Sequence, residues 1–110
     1  MFGLPEKSLE LIRDVLRSFE AVDKGIIFGS RAMNNNKKGS DVDIALTGNH
    51  IGWDITSRIS GKLNEVLPLP YYFDVVDYTH LDNPELKEHI DRHGKVFYEK
   101  TGDAETRRRG

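Results

Sequence analysis

The sequence predicts a small α/β (α+β) domain: a mixed β-sheet with helices packed mainly on one face. Three observations carry this reading. Helical and strand periodicities alternate along the chain in the order α-β-β-α-β-α-β. Short runs such as Gly25–Gly29 (GIIFG) and Tyr71–Val76 (YYFDVV) are dense in β-forming residues and bounded by Gly or Pro. The length of 110 residues suits one domain with an ordinary core and hardly allows a second.

The elements come in order. Leu9, Ile12, Leu16 and Phe19, with Val15 beside them, recur at helical spacing between Pro5 and Gly25. The run around Ile26-Ile27-Phe28 reads as a buried strand, and Asn34–Ser40 (NNNKKGS) as a polar loop. Asp41–Leu46 (DVDIAL) is the second strand, closed by Thr47-Gly48-Asn49. Ile51, Ile55, Ile59, Leu63 and Val66 mark a second helix, weakened at Gly61. Pro68 and Pro70 break the chain before the third strand. Asn83 is an N-cap with Pro84 at N1, and Gly94 fits a stop after a helix that turns Leu86 and Ile90 inward. Lys95–Tyr98 forms a short edge strand.

Composition narrows the function. There is no cysteine, which excludes disulfides, thiolate zinc sites and cysteine nucleophiles. Lys and Arg number 16 against 18 Asp and Glu, and this balance argues against nucleic acid as a partner, since neutralising many phosphates needs a clustered basic excess. No apolar run approaches the roughly 20 residues that span a bilayer, and the opening MFGLPE lacks the plan of a signal peptide. A cytoplasmic protein is expected, with its domain over residues 1–100. Residues 101–110 (TGDAETRRRG) read as a disordered tail. Removing its three arginines and two acids leaves a mildly acidic domain.

The chemistry concentrates between Gly29 and Asp43 (GSRAMNNNKKGSDVD). One strand ends in Gly29-Ser30, and ten residues later the next opens with Asp41-Val42-Asp43. Side chains alternate along a strand, so burying Val42 and Ile44 turns both carboxylates to the opposite face. Two like charges about 7 Å apart along a strand add nothing to stability unless a cation sits between them. On the third strand, Asp74 shares its parity with Tyr72 and Val76, whereas Asp77 has the other. Asp41, Asp43 and Asp74 together make a hard, all-oxygen site suited to Mg²⁺ or Mn²⁺. Gly29 lets backbone come close to a phosphate, Ser30 offers its N–H and hydroxyl, and Arg31 adds a forked positive charge. The set reads as metal-assisted phosphoryl chemistry on a nucleoside triphosphate.

A lone D-x-D is commonplace, and so is Gly-Ser at a strand end. Jointly, at a fixed interval, they arise by chance in about one such chain in a thousand of average composition. The G-S-x10-D-x-D pattern with a later acidic strand residue resembles the DNA polymerase β-type nucleotidyltransferase superfamily. The short length, the GSRA start, the FDVVDY strand and the terminal HIDRHGKVFYEK resemble its minimal nucleotidyltransferase (MNT) antitoxin branch. The resemblance spans roughly Leu9 to Tyr98. It implies the polymerase β-like fold, with Gly29 and Ser30 on the triphosphate, Asp41 and Asp43 on two Mg²⁺ ions, and Asp74 completing the site. It further implies transfer of AMP from ATP to a tyrosine of a helical HEPN-domain toxin, as the antitoxin half of a type VII-like pair. One departure is Asn34-Asn35-Asn36, where many members carry Arg-Gly after GSRA. Two rivals share the fold: a binding module that neutralises its partner by sequestration, and a metal-stabilised subunit without turnover.

Other signals receive blander readings. His89 and His93 stand four apart on the third helix without a third ligand or the Glu of H-E-x-x-H, and read as a solvated face. His50 and His80 fall in loops. Trp53 reads as core-edge packing, Tyr71 and Tyr72 as β-formers, and Lys37-Lys38 equally as a solvated loop or as a steering charge for ATP. Neither a P-loop nor a Rossmann glycine motif is present.

Overall fold

The computed structural model describes residues 2–34 and 41–100, and its centre is a four-stranded mixed sheet. The elements are α1 (Glu6–Arg17), β1 (Lys24–Phe28), β2 (Val42–Thr47), α2 (Gly52–Gly61), a π-helical turn (Lys62–Val66), β3 (Phe73–Asp77), α3 (Pro84–His93) and β4 (Lys95–Glu99). The strands lie in the order β3-β2-β1-β4. β1 is antiparallel to both β2 and β4, and β2 is parallel to β3. A parallel pair needs a long crossover, which α2 and the π-turn supply. The loop beyond Asn34, with Lys37 and Lys38, and the tail at 101–110 lie outside the described residues.

Strand alternation divides the core in two. Ile27, Val42, Ile44, Leu46 and Phe73 face α1, α2 and the π-turn, where Leu9, Ile12, Leu16, Ile59 and Leu63 meet them. On the other face Phe28 and Ala45 pack against Ile90 of α3, with Ile26, Val76 and Leu86 around them. The helices therefore sit mainly on one face, as the sequence predicts, but α3 crosses the other and covers part of the face expected to stay open.

Several local details differ from the periodicity. The helical spacing from Ile51 to Val66 breaks at the π-turn, closed by the Leu67 N–H donating to the Lys62 carbonyl at 3.2 Å. One wider turn rotates the residues after it, so Leu63 stays buried while Val66 is 71% exposed. The same turn aims Asn64 at the outer edge of β3. Its Nδ2 donates to the Phe73 carbonyl at 2.9 Å, and its Oδ1 accepts the Phe73 N–H at 2.7 Å. The Asn64 amide thus completes a backbone edge that, among the described residues, no strand covers. At the other end, Asn83 caps α3 by accepting the Leu86 N–H at 3.1 Å, as expected. Gly94 stops α3 for a reason other than a left-handed cap. Its φ is −64°, and a Cβ there would come within 2.5 Å of the Ile90 carbonyl oxygen and 2.7 Å of Ile26 Cγ2, so the glycine lets the chain leave α3 tight against its last turn and β1. A bulge between β1 and β4 brings both Phe97 and Tyr98 into the core.

Candidate active site

Pairing register brings two of the three predicted carboxylates together. Asp43 stands opposite Phe28 on β1 and beside Asp74 on β3, so Asp43 and Asp74 are immediate neighbours on one face. Asp41 lies one residue before β2, exposed; Asp43 is half-buried and Asp74 exposed. Asp77 takes the opposite parity. It is tied to the chain ahead, with Oδ2 2.7 Å from His80 Nδ1 and Oδ1 accepting the His80 N–H.

Gly29 comes directly after β1 with φ +74°, a conformation that favours glycine. The close neighbour is the Asp43 carboxylate: a Cβ on Gly29 would collide with Asp43 Oδ2. The glycine thus makes room for a site carboxylate, a role that strand periodicity does not disclose. From Gly29 to Asn34 the chain coils in turns, with the Met33 N–H on the Gly29 carbonyl at 3.2 Å and the Asn34 N–H on that of Arg31 at 3.3 Å.

Arg31, expected to add a forked positive charge for the nucleotide, is buried beside the entry of β2. It is 3% exposed, donates from Nε to the Asp41 carbonyl at 3.2 Å and from Nη1 to the Phe2 carbonyl at 3.0 Å, and lies 5.1 Å over the Tyr71 ring. It fastens the entry of β2 to the N-terminal segment, and its charge reaches the site through the low-dielectric interior. Tyr72 is 60% exposed and shares the Asp74 face, whereas Trp53 projects into solvent at 83%, not into the core edge expected of it.

The carboxylates interact. Burial, then the Asp74 charge, then that of Asp41 hold the Asp43 carboxyl above its ordinary value; the neighbouring His89 and Arg31 oppose this. Among the described residues no three His, Asp or Glu side chains are gathered as a ready metal cage. Mg²⁺ is commonly held by one or two carboxylates plus substrate phosphates and water. An excess of negative charge on hard oxygen donors, beside a turn suited to phosphate, fits such an ion.

One residue escapes the sequence reading. His89, predicted as part of a solvated helix face, accepts the Gly29 N–H at Nε2, 3.1 Å away. Its ring meets Phe28 edge-on at 6.1 Å and lies 5.1 Å from the ring of His93. No periodicity says which strand end a helical residue will face. The nearest signal is the inward pair Leu86 and Ile90, which sets the helix on the sheet.

Residues 10–103 match the family model described as polymerase beta, nucleotidyltransferase. The chain belongs to this family. Solved structures carry the same fold at low identity. A chain of a toxin–antitoxin crystal structure with AMP-PNP superposes with a TM-score of 0.68 at 20% identity, covering 91% of this chain and 77% of that one. The tri-AMPylated Shewanella oneidensis HEPN toxin in complex with MNT antitoxin gives 0.66 at 20%, covering 89% and 75%. The toxin–antitoxin MntA–HepT gives 0.57 at 19%, covering 90% and 76%. No curated protein matches the sequence. Within this nucleotidyltransferase family the mixed sheet agrees with the fold that the resemblance implies. Among the described residues no helix is long and apolar enough to cross a membrane.

Proposed function

We propose that this nucleotidyltransferase moves AMP from ATP to a tyrosine of a HEPN-type toxin, acting in the cytoplasm as the antitoxin of the pair. The observation that carries the reading is the register that sets Asp43 beside Asp74, with Gly29 packed on the Asp43 carboxylate. The AMP-PNP and AMPylated complexes among the structural neighbours support the choice of nucleotide and acceptor.

In the mechanism, Asp41, Asp43 and Asp74 would hold Mg²⁺, two ions in all. When bound, the metal neutralises charge on the phosphates and makes the acceptor hydroxyl more acidic. Ser30 holds triphosphate oxygens through its N–H and Oγ. The acceptor oxygen attacks the α-phosphorus, a new P–O bond forms, and the bond to pyrophosphate breaks. Asp74 takes the hydroxyl proton at a carboxylate oxygen. Positioning and charge neutralisation account for most of such a reaction, which is how so small a domain suffices.

Intact mass of the co-expressed partner tests this. It should rise by one or more AMP units with the wild type, and stay unchanged with Asp41→Asn. A partner neutralised equally well by Asp41→Asn, with no added mass, would establish sequestration instead.

A further inference from the structure

We propose that His89 is a positioning residue for the Gly29–Ser30 turn, fixing the peptide that presents Ser30 to the nucleotide. The geometry of the two peptide planes around Gly29 carries it. The plane before Gly29 is fixed because its N–H donates to His89 Nε2 at 3.1 Å. The plane after Gly29 is fixed because its carbonyl accepts the Met33 N–H at 3.2 Å. With no cis peptide in the described chain, the Ser30 N–H lies in that same plane and points away from the carbonyl, at the opposite edge. Gly29 lies past the last β1 pairing with both β2 and β4, so its N–H has left the ladder, and His89 takes the donor.

His89 is held for the task. The next residue, Ile90, is 3% exposed and packs on Phe28 and Ala45, which pins this turn of α3 to the sheet. Phe28 meets the His89 ring edge-on. A backbone N–H only donates, so Nε2 is the bare acceptor and the ring hydrogen sits on Nδ1. The Gly29 N–H is therefore tied to His89 rather than offered to phosphate, and the nucleotide is left to Ser30. This consequence rests on the nucleotidyl-transfer reading above; the bond to Gly29 does not.

The test uses the full chain labelled with ¹⁵N, as wild type, His89→Ala, His89→Gln and His93→Ala. The wild type should show a through-hydrogen-bond ¹⁵N–¹⁵N coupling between Gly29 and His89, with His89 as the Nδ1–H tautomer. In His89→Ala the affinity for Mg²⁺–AMP-PNP should fall about tenfold, the scale of one lost hydrogen bond, and the KM for ATP should rise while kcat holds. The Gln side chain offers an oxygen acceptor and should recover most of the loss, whereas His93→Ala should leave affinity near wild type. A missing coupling in the wild type, or equal losses in the Ala and Gln variants, would overturn the proposal. If the coupling is present but the wild type binds no nucleotide, the nucleotidyl-transfer reading fails while the role of His89 in the turn stands.

Discussion

Asp43 carries opposite demands on folding and on chemistry. Its carboxyl is held above the ordinary value by burial and by two neighbouring carboxylates, so over that interval of pH the native chain keeps a proton the unfolded chain has lost. Stability of the metal-free protein should accordingly fall as pH rises from the ordinary carboxylate range through the raised value. Asp43→Asn should remove that fall, raise the melting temperature at neutral pH and abolish transfer, as thermal melts across pH and a transfer assay would register. An unfolded Asp43→Asn protein would show the carboxylate to be structural. Gly29→Ala places a methyl against the same carboxylate at a positive φ and should cost about 1–3 kcal/mol, measured by urea unfolding, together with activity. Period-two alternation makes the three aspartates legible in the sequence itself. It does not show that Gly29 yields space to Asp43, that Arg31 donates to the Asp41 and Phe2 carbonyls, or that His89 reaches the turn, because each depends on contacts between distant elements.

Each element orients its site residue through its edges. Asn64, in the π-turn, holds both backbone groups of Phe73, and the next residue is Asp74. Asn64→Ala would leave a buried N–H and carbonyl unmatched, a loss of about 1–3 kcal/mol by denaturant titration, and should slow transfer by loosening β3. Asn64→Asp keeps the acceptor and loses the donor, so it should fall between. On β3 itself, Asp74→Ala should remove activity, whereas Asp77→Ala, facing the other way and bonded to His80, should change stability alone. Equal catalytic losses would show the register to be different. Element type and order are legible from periodicity and caps, with β3 beginning at Phe73 rather than Tyr71. Val66 misleads because its helical spacing from Leu63 assumes 3.6 residues per turn, and the π-turn widens that step.

At the scale of the molecule, two cores share one sheet, and the site lies where α3 leaves the second face uncovered. Mg²⁺ with AMP-PNP should raise the melting temperature of the wild type, and at a hundredfold excess over Kd the added stability should be about 2.7 kcal/mol. The Asp41→Asn, Asp43→Asn double variant should lose most of that rise, which differential scanning fluorimetry would detect. The bond from His89 to Gly29 closes over a sequence separation of 60 residues, and the parallel pairing of β2 with β3 likewise waits for the crossover between them. During synthesis the β1–β2 hairpin can assemble early, because its contacts are local. It then displays Asp43 and the glycine turn without Asp74 or His89. Under the roles proposed for Asp74 and His89, a growing chain on the ribosome is an incomplete enzyme until α3 emerges and docks, so the competence to consume nucleotide comes abruptly, with that helix.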